Sequence, residues 1–132
     1  MAVWSMEFPG QAEYLAEARK FTRAVLGGCV GSDHVTLVAD ELAANAITHS
    51  RSGQPGGKFA LCLATFANWC VVRVDDQGGF RTPHVCEQDD ENTNGRGLLL
   101  VDGLSEWWGT DGDDAARSVW AVIPVMRSAS DD

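Results

Sequence analysis

Apolar side chains recur at helical spacing from Gln11 to Leu26, with Glu13, Glu17, Arg19 and Lys20 between them, and the run stops at Gly27-Gly28. That pattern predicts an amphipathic helix with a glycine stop. A second helical pattern follows. Ser32 or Asp33 supplies an N-cap, Val35, Val38, Leu42 and Ala46 line one apolar stripe, and the run ends near Ser50, before the Gly/Pro-rich loop Ser52 to Gly57. Strand rhythm takes over in Lys58 to Thr65 and Trp69 to Asp75, separated by Phe66-Ala67-Asn68 as in a hairpin. Ala2 to Phe8 reads as a short extended start. Helical spacing returns at Leu98, Leu99, Val101, Asp102 and Leu104, and Ser105 to Gly109 and Ser118 to Val125 fit two further strands. Between them lies the polar stretch Gln77 to Asn94, with Gly78, Gly79, Pro83 and the acidic run Glu87 to Glu91. A loop that long in a small domain is usually functional. No repeat is visible. The pattern describes one α/β domain over residues 1–126 and a disordered tail over 127–132.

Length agrees with this, since 132 residues bury one core comfortably and two poorly. Charge narrows the function. The formal net charge is -9 and the pI about 4.6, without a basic cluster, so direct nucleic-acid binding is disfavoured by repulsion from phosphates. The apolar runs are too short to span a bilayer, and Met1 to Gly10 lacks the charged start and apolar centre of a signal peptide, which makes the cytoplasm the expected location and a membrane an unexpected partner. Cys29, Cys62, Cys70 and Cys86 are scattered with no C-x-x-C pair, which argues for free thiols rather than a closed metal site. Of the tryptophans, Trp107 and Trp120 sit in expected strands and are assigned to the core, with Trp4 and Trp108 exposed or at an interface.

Three motifs carry candidate chemistry. On the second helix, Glu41, Asn45 and His49 fall four apart on one face, flanked by Thr48 and crowded by Ala39, Ala43, Ala44 and Ile47. A solvated helix face explains such a stripe. So does a site wall, where a carboxylate and an amide hold hydrated Mg²⁺ and orient a hydroxyl, with His49 structural or capping. In VVRVDDQGGF a strand runs into Asp76, Gly78 and Gly79. This is a strand ending in a tight turn, or a carboxylate aimed at an exocyclic amine with glycine allowing a flat ring close to the backbone. In NGRGLLLVDGL, Gly95, Arg96 and Gly97 stand immediately before a helix, as a plain loop or as an anion site for phosphates.

Their order along the chain resembles the ATP-binding domain shared by DNA gyrase, the large heat-shock chaperone, histidine kinases and the MutL mismatch-repair proteins. Within that superfamily the chain is most similar to the stand-alone anti-sigma-factor serine/threonine kinases, through ELAANAITH (Glu41 to His49), DDQGG (Asp75 to Gly79), GRGLLLVDGLSEWWG (Gly95 to Gly109) and RSVWAVIPV (Arg117 to Val125). The resemblance implies a two-layer α/β sandwich, the Bergerat fold, with a mixed, mostly antiparallel sheet and helices on one face. It implies ATP and Mg²⁺ as cofactors, with Asn45 as the magnesium ligand and Glu41 as the residue that orients or deprotonates the attacking hydroxyl. Asp76 would bind the adenine amine, Gly78 would lie beside the ring, and Ser118, where the family often has Thr, would assist. Gly95, Arg96 and Gly97 would hold the phosphates under a lid formed by Gln77 to Asn94. The implied partners are a sigma factor, a small antagonist protein phosphorylated on Ser or Thr, and a second copy in a homodimer. The competing expectation is a non-catalytic nucleotide-binding switch, favoured by Phe80 where the family's glycine box commonly has its last Gly. A detached histidine-kinase domain is disfavoured, because no dimerisation helix with a phospho-acceptor His precedes the domain.

Overall fold

The computed structural model describes residues 1–79 and 93–126, with residues 93–97 described as backbone alone. Strand β1 (Ala2–Pro9) is followed by helices α1 (Leu15–Leu26) and α2 (Ser32–His49), the hairpin β2 (Lys58–Thr65) and β3 (Trp69–Asp76), helix α3 (Thr93–Leu104), and the hairpin β4 (Trp107–Gly112) and β5 (Arg117–Pro124). Short 3₁₀ turns precede α1 at Ala12–Tyr14 and follow α2 at Arg51–Gly53. The expected tail, Cys86, Phe80 and most of the expected lid lie outside the described residues.

Period-two burial builds the sheet. Phe59, Leu61 and Leu63 of β2, Cys70, Val72 and Val74 of β3, and Val119, Ala121 and Ile123 of β5 all point to one side and are buried. The strand order is β1-β2-β3-β5-β4, and every ladder is antiparallel. The expected mixed sheet is corrected on this point. The β3–α3–β4 crossover would make a parallel pair if its strands were neighbours, but β5 turns back from β4 and inserts between them.

Helices cover only that inner face. Helix α2 is the centre of the layer, packed against α1, α3 and β3. It buries Val35, Val38, Ala39, Leu42, Ala43 and Ala46, and its alanines allow these close approaches. The expected apolar stripe is thus the stripe observed. Arg19 of α1 reaches Asp40 of α2 at 2.7 Å. Neither Ser32 nor Asp33 caps α2. Its N-cap is Gly31, at φ 98°, where a Cβ would lie 2.6 Å from the Pro124 carbonyl oxygen. The end of β5 therefore sets where this helix begins.

The outer face of the sheet has no helices on it among the described residues, and here the tryptophan expectations change. Trp107 pairs with Val122, which places it outward, 61% exposed and 5.9 Å from Trp69, so it is not a core residue. Trp108, one position on, turns inward, packs on the core and donates Nε1–H to Asp102 at 2.9 Å. Trp120 is half-buried on the outer face. Strand β4 starts at Trp107 rather than Ser105, and in a strand one residue of register decides the face. No helix among the described residues is long and apolar enough to cross a membrane.

Candidate functional site

The last turns of α2 carry one line of polar groups, Glu41, Asn45 and His49, flanked by the exposed Thr48. Asn45 is 8% exposed, and its Nδ2 has no hydrogen-bond partner among the described residues; Nε2 of His49, one turn on, is buried and equally unpartnered among them. Buried polar atoms are nearly always satisfied, and leaving one unmade costs about 1–3 kcal/mol. These two lie one turn apart on one helix face; among the described residues Thr65 Oγ1 and Ser105 Oγ are buried and unpartnered as well. A half-turn of the Asn45 amide presents its oxygen instead of its nitrogen. Glu41, one turn before Asn45, is half-buried, and its carboxyl is raised above the usual range, first by burial and then by the neighbouring Asp40 charge. His49 does not cap the helix. That role falls to Ser50, whose hydroxyl donates to the Ala46 carbonyl at 2.6 Å and accepts from Ser52 N–H at 3.0 Å.

Asp76 is the last residue of β3 and begins a turn that its own side chain closes, accepting from Gly78 N–H at 2.7 Å. Its carboxyl is raised, first by burial; the Gly78 N–H and Arg117 oppose this, and Asp75 adds to it. The turn is clamped on all sides. Arg51 N–H donates to the Gly78 carbonyl at 2.8 Å, Gln77 N–H to Ser52 Oγ at 3.0 Å, and Lys58 N–H to Gln77 Oε1 at 2.9 Å. Gly78 has φ 78°, and a Cβ there would lie 2.1 Å from the Asp114 carbonyl oxygen. Its missing side chain therefore makes room for the β4–β5 turn, where the sequence suggested room for a ring. Gly78→Ala is expected to cost roughly 1–3 kcal/mol or more, read as a drop of several degrees in the melting temperature.

A Cβ on Gly79 would meet the His49 carbonyl oxygen at 2.9 Å, so the Asp76 turn and the end of the Asn45 wall are in contact. The structure brings these two motifs together. It separates Ser118 from them, because Ser118 pairs with Asp75 on the outer face and donates to its Oδ1 at 2.7 Å. The neighbour of Asp76 on the inner face is Arg117, 7% exposed, with Nη2–H donated to the Gly79 carbonyl at 2.8 Å. Strand alternation contained this signal. Counting back two from the apolar Val119 reaches Arg117, not Ser118.

Gly95, Arg96 and Gly97 lie inside α3, which begins at Thr93, rather than before it. Thr93 and Asn94 are residues that favour a helix start, and the first four amides of a helix have no intrahelical acceptor. The amide of Gly95 is the last of those four, and those of Arg96 and Gly97 already belong to the intrahelical ladder. Among the described residues, no group of three or more His, Cys, Asp or Glu can hold a metal. A magnesium ion at Asn45 would draw its other ligands from phosphate and water, as Mg²⁺ commonly does. A shallow depression of about 390 Å³ lined by Arg51, Gln54, Pro55, Gly57, Gln77 and Ala115 lies beside the turn and includes neither Asn45 nor Asp76. Cys29, Cys62 and Cys70 are free thiols, and burial, with a smaller contribution from Cys29, pushes the Cys70 thiol up to about 12.

The family model described as a histidine kinase-like ATPase domain matches residues 8–122. Among curated proteins, none matches the chain.

Proposed function

The chain belongs to the histidine kinase-like ATPase domain family, and from that premise we propose that it is an ATP-binding regulator of the anti-sigma-factor type, which phosphorylates Ser or Thr of a small antagonist protein. The observation that carries the reading is the buried amide of Asn45, unpartnered among the described residues and set between Glu41 and the His49 end that touches the Asp76 turn. Bound Mg²⁺ supplies charge neutralisation for the phosphates. The chain's own residues do the rest. Asp76 would accept from the adenine amine, Asn45 would hold the metal, the glycine-rich start of α3 would receive phosphate oxygens, and Glu41 would orient the attacking hydroxyl and take its proton. Catalysis is then largely positioning.

The partners in this reading are a sigma factor and the antagonist, met in the cytoplasm, with a second copy of the chain as a further partner. The net charge of -9 suits protein partners better than nucleic acid. The second reading, a nucleotide-binding switch without phosphoryl transfer, is favoured by Phe80 in place of the last glycine of the box. Affinity capture from the protein's own cytoplasm, with and without ATP, tests the regulatory role. Retention of a sigma factor or a small antagonist supports it, and retention of neither in both conditions overturns it.

Magnesium-dependent ATP binding should need Asn45. Asn45→Ala removes the oxygen ligand and leaves a good helix former, so calorimetry should show weaker ATP binding that no longer responds to Mg²⁺. Unchanged magnesium dependence removes Asn45 from the site.

A further inference from the structure

We propose that Arg117 is a positioning residue of the nucleotide site, a single buried guanidinium that stands across the β3–β5 ladder from Asp76 while its Nη2–H holds the Gly79 carbonyl. The proposal rests on the reading of Asp76 as the adenine contact. Arginine is almost never this buried without compensating partners, because desolvating a guanidinium is costly. Here the compensation is local. Cross-strand partners in an antiparallel pair point to the same face, so Arg117 and Asp76 share the inner side of the sheet. Gly79 is pressed beneath the His49 carbonyl, where a Cβ would be 2.9 Å away, and Arg117 donates to its oxygen at 2.8 Å. One side chain thus stands across the ladder from the carboxylate that reads the base and holds the turn that follows it.

The charges around Asp76 set the sign of the effect. On its own strand Asp75 pushes the carboxyl up, although Asp75 itself faces outward to Arg73 at 2.9 Å and to Ser118. From β5, Arg117 pulls it down. His49 is the last residue of α2, and just beyond it Arg51 Nη1–H donates to the Asp114 carbonyl of the β4–β5 turn. Burial works against the ionised form, the Gly78 N–H opposes this most, and Arg117 is the positive charge that adds to that opposition.

Two variants separate charge from support. Arg117→Gln keeps a donor for the Gly79 carbonyl and deletes the charge; Arg117→Lys keeps the charge and loses the fork. Carboxyl-carbon NMR of the nucleotide-free protein should show the Asp76 midpoint moving to higher pH in Arg117→Gln and staying near its original position in Arg117→Lys. ATP affinity of Arg117→Gln should then fall about tenfold on the acid side of the profile and far less on the alkaline plateau. A purely structural role would instead weaken binding equally at every pH. An Asp76 midpoint unmoved by Arg117→Gln overturns the role of Arg117. A midpoint that moves without any change in ATP affinity overturns the adenine reading of Asp76 instead. If Arg117→Gln does not fold, the unmutated protein decides. Its Arg117 guanidinium resonances should titrate with the Asp76 midpoint and stop doing so in Asp76→Asn, and no response overturns the proposal.

Discussion

Glu41→Gln is expected to bind ATP almost normally and to lose phosphoryl transfer to the antagonist by roughly 10²-fold or more. Gln preserves the size and hydrogen bonding of the side chain and removes only its basicity, so a defect confined to transfer isolates the proton-accepting step. The position supports this. Glu41 sits one helical turn from the buried Asn45 amide, half-buried, with its carboxyl raised by burial and by Asp40. A raised carboxyl is a stronger base once ionised, which suits a group that must take a hydroxyl proton near neutral pH. The sign of the pH dependence follows. Only the ionised form accepts the proton, so transfer should fall as pH drops through a midpoint above the ordinary glutamate range. Asp40→Asn, which deletes the second cause, should move that acid limb to lower pH. Single-turnover transfer from labelled ATP to the captured antagonist measures both effects. Normal transfer by Glu41→Gln would remove Glu41 from the chemistry, and no transfer even by the unmutated protein would favour the switch.

Periodicity alone made much of this architecture legible. The α2 stripe of Val35, Val38, Leu42 and Ala46, the β2–β3 hairpin and the end of β3 beside Asp76 all follow from spacing that a single amphipathic element must satisfy by itself. The polar line on α2 was legible for the same reason, since the i, i+4 spacing of Glu41, Asn45 and His49 needs no knowledge of neighbours. What escaped depends on other elements. The start of α2 is set by Gly31 against the Pro124 carbonyl, a contact between residues far apart in sequence. The faces of Trp107 and Trp108 depend on a register that a Ser-Glu-Trp-Trp run does not specify. The same one-residue ambiguity hid Arg117 behind Ser118, because a serine looks like a polar helper and a buried arginine looks improbable until Asp76 is seen across from it. What presses on Gly78, the Asp114 carbonyl of the β4–β5 turn, was out of reach for the same reason, since it belongs to another element.

The choice of adenine over guanine nucleotides tests the site at its anchor. An ionised carboxylate only accepts hydrogen bonds, so Asp76 pairs with the exocyclic amine of adenine and opposes the carbonyl oxygen of guanine, acceptor against acceptor. Guanine should lose. An unpaired, desolvated charged acceptor costs about 1–3 kcal/mol or more, which corresponds to roughly tenfold to a few hundredfold in affinity. The cost is large here because the group is half-buried, and the Gly78 N–H occupies only one lone pair of one carboxylate oxygen. Asp76→Asn replaces pure acceptance with a donor as well as an acceptor, so it should weaken ATP and narrow the gap to GTP. Its oxygen can still accept from Gly78 N–H and keep the turn, although Arg117 would then face a neutral group, so melting curves must accompany the titrations. Competition of ATP against GTP on both proteins gives the answer. Equal binding of the two nucleotides by the unmutated protein, or an unchanged preference in a folded Asp76→Asn, would mean that the base is read elsewhere and that the raised carboxyl of Asp76 serves only the turn.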